Sequence, residues 1–167
     1  WFGTTEGLCR FDGTTVKIYK HNPSDSTSLC HSEVSAMMED NHHNLWIGTA
    51  KGLSIYDREK DNFVNVDLIP QNKNHLKNHF ITALAQDNRG QIWIGTMGGG
   101  INVYNQDDFQ FTYFYFNNTR DNYVASDYIT SILIYDDGVL AGTRAGMKFF
   151  NISTLRPEPI ACADGSV

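Results

Sequence analysis

Short apolar runs alternate with polar clusters rich in Gly, Asn and Asp along almost the whole chain, a pattern of strands joined by tight turns. The stretch from 33 to 68 shows it most clearly. Val34 to Glu39 reads as a first strand, and Asp40-Asn41-His42-His43-Asn44 as a polar turn, because Asn and Asp tolerate positive φ. Leu45 to Thr49 is a second strand, Ala50-Lys51-Gly52 a turn, Leu53 to Asp57 a third strand and Phe63 to Asp67 a fourth, after the charged turn Arg58 to Asn62. The order repeats as Ile81 to Gln86, Ile92 to Thr96, Ile101 to Asn105 and Phe109 to Phe116, with Gly98-Gly99-Gly100 as a loop insertion. It repeats again as Ile129 to Tyr135, Val139 to Thr143 and Met147 to Phe150. Between Arg156 and Ala163 the prolines Pro157 and Pro159 confine any last strand to an edge.

One phrase marks each second strand: Trp1-Phe2-Gly3-Thr4, Trp46-Ile47-Gly48-Thr49, Trp93-Ile94-Gly95-Thr96 and the degenerate Leu140-Ala141-Gly142-Thr143. Its spacing, 45 and then 47 residues, is that of a four-stranded propeller blade and not of a helical solenoid. The expected fold is all-β, a partial β-propeller with two complete four-stranded antiparallel blades flanked by partial blades. Residues 1–167 then form a single incomplete domain with repeats at about 1–20, 33–68, 80–116 and 128–163. Glycine weakens an isolated strand, so its fourfold recurrence implies close approach by a neighbouring backbone or ring. The Trp-x-Gly-Thr phrase is read as blade-to-blade packing, which also explains unalternated apolar runs such as Ile132-Leu133-Ile134.

The residues Met38-Glu39-Asp40, Leu45-Trp46-Ile47-Gly48-Thr49, Gly52-Leu53 and Tyr56-Asp57, with their counterparts Ala85-Gln86-Asp87, Gly90, Ile92 to Thr96, Gly100-Ile101 and Tyr104-Asn105, resemble the two-component regulator propeller repeat. The linker Asn22-Pro23-Ser24-Asp25 to Ser28-Leu29 resembles the one joining such blades. The resemblance weakens where Leu140-Ala141 replaces Trp-Ile. It implies the extracytoplasmic, periplasmic sensor region of a bacterial hybrid histidine kinase anchored in the inner membrane. Such regions usually contain two propellers followed by a β-domain and a membrane helix, and often respond to an oligosaccharide. The chain opens on Trp1, inside a repeat and without an initiator Met, so it reads as a noncatalytic piece of a longer receptor whose kinase lies elsewhere.

A net charge of −6 with 13 Lys and Arg and no basic run argues against nucleic-acid binding. No apolar run reaches the about 18 residues of a membrane span. The 13% aromatic content suits strands as well as stacking surfaces for sugars or peptides. Cys9, Cys30 and Cys162 have no metal spacing. They read as incidental small hydrophobes, with a Cys9–Cys30 disulfide as the alternative in an oxidising compartment.

Long loops from His21 to Ser32, Pro70 to His79 and Asn117 to Asp127 emerge on one face together with the short turns between second and third strands. Ligand binding is therefore expected there, on Glu6, Lys51, Asn78, His79, Met97, Arg120, Tyr123 and Arg144. His75 with His79, and His42 with His43, lack the further ligands of a zinc site, and Asp136-Asp137-Gly138 matches no calcium loop. The glycine run lacks the lysine of a phosphate loop, and no cofactor is expected. Two other readings stand: a propeller-type lyase, for which His31, His79 and Glu33 lie near the starts of inner strands, and a scaffold for protein partners. The aromatic run Phe109, Phe111, Tyr113, Tyr115 is read as packing, with an exposed partner surface as the alternative. Four repeats leave an open ring, to be completed by the remaining blades or by a second copy of the chain.

Overall fold

In the computed structural model, residues 1–114, 127–136 and 138–154 are described, together with the backbone strand Arg156–Glu158. Among the described residues, fifteen strands form four antiparallel sheets, each a simple meander. The first sheet holds β1 (Phe2–Thr4), β2 (Gly7–Phe11) and β3 (Val16–Tyr19). The second holds β4 (Val34–Glu39), β5 (Leu45–Thr49), β6 (Gly52–Asp57) and β7 (Asn62–Asn65). The third is β8 (Ile81–Gln86), β9 (Ile92–Thr96), β10 (Ile101–Asn105) and β11 (Gln110–Phe114). The fourth is β12 (Ile129–Tyr135), β13 (Gly138–Thr143), β14 (Gly146–Asn151) and β15 (Arg156–Glu158).

Successive sheets are neighbours: β4 lies against β1, β8 against β4 and β5, and β12 against β8 and β9. The array is a partial β-propeller. Three expectations need adjustment. The last strand of the second repeat is shorter than read, because Val66–Leu68 turn into a 3-10 helix instead of extending β7 to Asp67. The aromatic strand starts at Gln110, since Phe109 adopts a positive φ of 55°. The fourth sheet does gain a fourth strand, with Pro157 opposite Phe150 on the sheet edge, where a missing N–H is tolerated.

The phrase on each second strand divides its work among its residues. Threonine closes the following turn: Thr4, Thr49, Thr96 and Thr143 each donate from Oγ1 to the carbonyl of the glycine that ends it, at 2.7–3.0 Å. Tryptophan reaches forward into the next sheet. Trp1 meets Tyr56 with centroids 4.8 Å apart, Trp46 meets Tyr104 at 6.2 Å, and Trp93 shares a buried cluster with Phe150. The indole N–H is also satisfied locally: Trp46 donates to Asp40 at 2.8 Å and Trp93 to Asp87 at 2.9 Å. Both carboxylates also accept two backbone N–H groups of their own turn.

The glycine makes room for a side chain, not for the backbone or ring expected from the sequence. A Cβ on Gly3 would lie 2.6 Å from Val34 Cγ1, one on Gly48 2.5 Å from Ile81 Cγ2, and one on Gly95 2.6 Å from Ile129 Cγ2. Each intruding residue is β-branched and opens the first strand of the following sheet, so sheet n+1 keys into the bare Cα of sheet n. Gly142 breaks the series, because its nearest atoms are Ser131 Oγ and Thr130 Oγ1 of its own sheet. The aromatic strand serves the same packing. Phe111 is buried, Phe114 stacks on Trp93 at 5.9 Å and Tyr113 donates to the His75 carbonyl. Tyr115 and Phe116 lie outside the described residues.

Candidate functional site

A groove of about 490 Å³ opens where the linker from His21 to Cys30, the β5–β6 turn at Lys51-Gly52 and the 3-10 turn at Val66–Leu68 meet. Its floor is fixed by a relay of side chains. The Cys30 N–H donates to Ser54 Oγ at 3.2 Å, Ser54 donates to Asn65 Oδ1 at 2.7 Å, and Asn65 Nδ2 holds the carbonyls of Ser26 and Ser28. The rim is a tight turn in which Asp25 accepts the backbone and hydroxyl of Thr27 and Ser28 accepts the Asn22 N–H. A rigid base therefore carries a wall of short polar side chains. Asn22, Ser24, Asp25, Lys51, Asn65 and Asp67 line the groove, with Leu53 and Leu68 as apolar patches. An apolar groove of about 430 Å³ lined by Phe63, Val64 and Pro70 adjoins it, sharing Ser26, Asn65 and Leu68.

Thr27 hydrogen bonds hold the Asp25 carboxyl below the usual carboxylate range. Burial pushes the Cys30 thiol up, against partial relief from Ser54 and Thr49, so it stays protonated and is a poor nucleophile near neutrality. Asp67 Oδ2 stands 3.3 Å from His79 Nε2, while its buried Oδ1 has no hydrogen-bond partner. The set offers donors, acceptors and charges of both signs, which suits a polar ligand rich in hydroxyl or amide groups.

The residues singled out from the sequence separate into three places. Lys51 and His79 converge on the groove, the latter through Asp67. Asn78, Met97 and Arg144 lie along a second line. Asn78 Nδ2 donates to the Met97 carbonyl at 2.9 Å, Met97 bridges to Tyr128, and the Arg144 guanidinium lies 3.6 Å from the Tyr128 ring centre. Glu6 is exposed and pairs with Lys20 at 3.6 Å, and neither lines the groove. Arg120 and Tyr123 fall outside the described residues. Sequence reasoning missed His21, Cys30, Asn65 and Asp67. The long linker pointed to His21 and Cys30, but Asp67 had been read as the end of a strand.

Cys9 and Cys30 are free thiols, and Cys162 is outside the described residues. Among the described residues no three His, Cys, Asp or Glu side chains converge as metal ligands; His43 instead pairs with Glu39 at 2.7 Å. The contact between His31 and Glu33 runs through the Glu33 backbone N–H, which His31 Nδ1 accepts at 3.2 Å. That geometry does not prepare a His–Glu acid–base pair. No helix among the described residues is long and apolar enough to cross a membrane.

The family model of the two-component regulator propeller matches residues 28–51 and 75–98. Two stretches of the chain match two-component regulator propeller repeats. Each matched segment runs from the linker through the Trp-Ile-Gly-Thr phrase of its repeat. Over 29 residues the chain is 62% identical to histidine kinase P4 of Formosa agariphila, a match covering 17% of this chain and 2% of that protein. Among solved structures it resembles the extracellular domain of the hybrid two component system BT3049 from B. thetaiotaomicron. The TM-score is 0.77 at 21% identity, over 95% of this chain and 21% of that one. The corresponding domain of BT4673 from the same organism gives 0.73 at 24% identity, over 96% and 23%. The repeats described here thus span about a fifth of the length of those structures, and the likeness establishes the fold.

Proposed function

We propose that this chain is a noncatalytic ligand-recognition segment of a two-component sensor, exposed on the extracytoplasmic, periplasmic side, and that an oligosaccharide binds in the Lys51–Asp67 groove. The observation that carries the reading is the groove itself. It sits within and beside the first matched repeat, its polar wall is held by the Cys30–Ser54–Asn65 relay, and its surface mixes hydroxyl, amide and charged groups. The likeness to receptor ectodomains supports the sensor role. In the parent receptor, bound ligand shifts an equilibrium between two arrangements in proportion to its difference in affinity for them.

Titration calorimetry with a panel of neutral and acidic oligosaccharides tests this. Saturable binding is expected, weakened about tenfold, or about 1.4 kcal/mol, by Lys51→Ala or Asp67→Asn. Absence of binding across the panel, or binding indifferent to both substitutions, overturns it.

A further inference from the structure

The Lys51–Asp67 groove does not stop at its polar wall. Ser26, Asn65 and Leu68 line it and also line the apolar groove of about 430 Å³ beside it, so the two are lobes of one depression on the second sheet. The chemistry changes along its length. The first lobe holds Asp25, Lys51 and Asp67, whereas none of the described residues lining the second is charged, and Phe63, Val64, Ile69 and Pro70 supply most of its surface.

The apolar lobe is as firmly built as the polar one. The Phe63 N–H donates to the Thr27 carbonyl at 2.9 Å, which ties β7 to the linker. The Val66 carbonyl accepts the Ile69 N–H at 3.1 Å and Asn72 Nδ2 at 2.6 Å, and Asn72 Oδ1 is held in turn by the Tyr104 hydroxyl of the third sheet at 2.8 Å. On this frame Leu68 and Val64 stand 62% and 42% exposed. Apolar side chains displayed on a fixed backbone, directly beside hydrogen-bonding groups, suit an uncharged apolar part of a ligand whose polar part lies next to it, because little ordering is left to be done on binding. The shared wall can be crossed without loss. Asn65 already uses its amide on Ser54 and on the carbonyls of Ser26 and Ser28, so a ligand lying over it leaves none of those hydrogen bonds unmade.

We propose that the ligand is an oligosaccharide carrying an uncharged apolar substituent, an acyl or aryl group, with its sugar in the charged lobe and the substituent in the Phe63–Pro70 lobe. This rests on the oligosaccharide reading of the Lys51–Asp67 groove and narrows it to one class of decorated sugar. The uncharged lining selects against a charged group at that position, since a charge there would lose its water and gain no partner.

Calorimetry with matched methyl and phenyl β-glycosides of the oligosaccharide panel tests it, together with fluorescence titration of the uncharged apolar probe N-phenyl-1-naphthylamine. At least one phenyl glycoside is expected to bind about tenfold or more tightly than its methyl partner. Val64→Asp puts a charge into the apolar lobe and not into the polar one. It should abolish the phenyl gain and the binding of the naphthylamine while changing the affinity for methyl glycosides by less than about twofold. Near-ultraviolet circular dichroism checks that the variant folds; if it does not, Val64→Thr replaces it and must reduce the phenyl gain at least about threefold. Methyl and phenyl glycosides of equal affinity, or a phenyl gain that survives substitution of Val64, overturn the proposal and leave the sugar reading standing. Naphthylamine binding that depends on Val64 without any phenyl gain shows that the lobe takes a separate apolar partner, and overturns it as well. If no glycoside of either kind binds, both readings fall together.

Discussion

Replacing Gly95 with alanine places a methyl group 2.6 Å from Ile129 Cγ2 and 3.0 Å from its Cβ, too close for either to remain where it is. Gly95 has no positive φ, so the substitution does not strain the backbone, and the steric effect can be isolated. Overpacking of this kind costs about 1–3 kcal/mol, while loss of glycine freedom in the unfolded chain returns about 0.4–1 kcal/mol. The expected net loss is about 1–2 kcal/mol. Gly142→Ala is the internal control, because the new methyl meets Ser131 Oγ and Thr130 Oγ1 of its own sheet, hydroxyls that can rotate away. Its expected effect lies between zero and a gain of about 0.5 kcal/mol. Urea unfolding followed by tryptophan fluorescence, with unchanged m-values, gives both numbers. The double variant Gly95→Ala/Ile129→Ala should be less unstable than the sum of its parts by about 1 kcal/mol, since removing the key vacates the space the new methyl needs. Equal effects at Gly95 and Gly142, or strict additivity in the double variant, would refute the keyed-sheet explanation of the repeated glycine.

Trp46→Phe leaves the buried Asp40 carboxylate without its indole donor and should cost about 1–3 kcal/mol beyond any packing loss, an excess that Asp40→Asn in the same background should largely remove. Burial raises the pKa of Asp40, but the hydrogen bonds from Trp46, Asn44 and His42 outweigh it and the net shift is downward. Its stabilising contribution is therefore complete above the unfolded-state pKa of about 3.9 and is lost as pH falls below that, so acid unfolding of Asp40→Asn should depend less on pH there. Asp61, held low by Lys17, Tyr19 and Tyr56, follows the same sign: hydrogen-exchange protection factors in β2 and β3, taken against the intrinsic rate at each pH, should fall as pH drops below about 4, and Asp61→Asn should show that lower protection already at pH 7. Cys30, whose thiol is raised by burial, should be alkylated several-fold more slowly in the native chain than after urea unfolding, and more slowly still with the groove occupied.

The repeat was legible because its signals are local. Side chains alternate every two residues in a strand, so Trp, Gly and Thr recurring at fixed offsets had to occupy equivalent places in equivalent strands. What meets the glycine was not legible, because Ile81 and Ile129 lie 33 and 34 residues beyond Gly48 and Gly95 and reach them through sheet stacking. The groove was half legible for the same reason. Lys51 sits on a turn that the pattern places on the loop face, and His79 ends a long linker, but Asp67 enters only because the chain leaves β7 two residues early and curls into a 3-10 turn. Val66, fully buried against the next sheet, explains that departure: the apolar residue is drawn into the inter-sheet core and carries Asp67 back toward Gly52.

This geometry also separates stability from recognition. The Asp40–Trp46 and Asp87–Trp93 pairs are built on the turns between first and second strands, whereas Lys51, Gly52 and the linker that shape the groove lie at the opposite strand ends. A substitution at Asp40 should therefore lower the unfolding free energy while leaving ligand affinity per folded molecule intact, and one at Lys51 should do the reverse. Val66 is the exception, because it joins the inter-sheet core to the carboxylate of the groove. Val66→Ala should lose about 1–3 kcal/mol of stability and weaken ligand binding together. A variant at that position that lost stability with unchanged affinity would show that the 3-10 turn, once formed, positions Asp67 without help from the core.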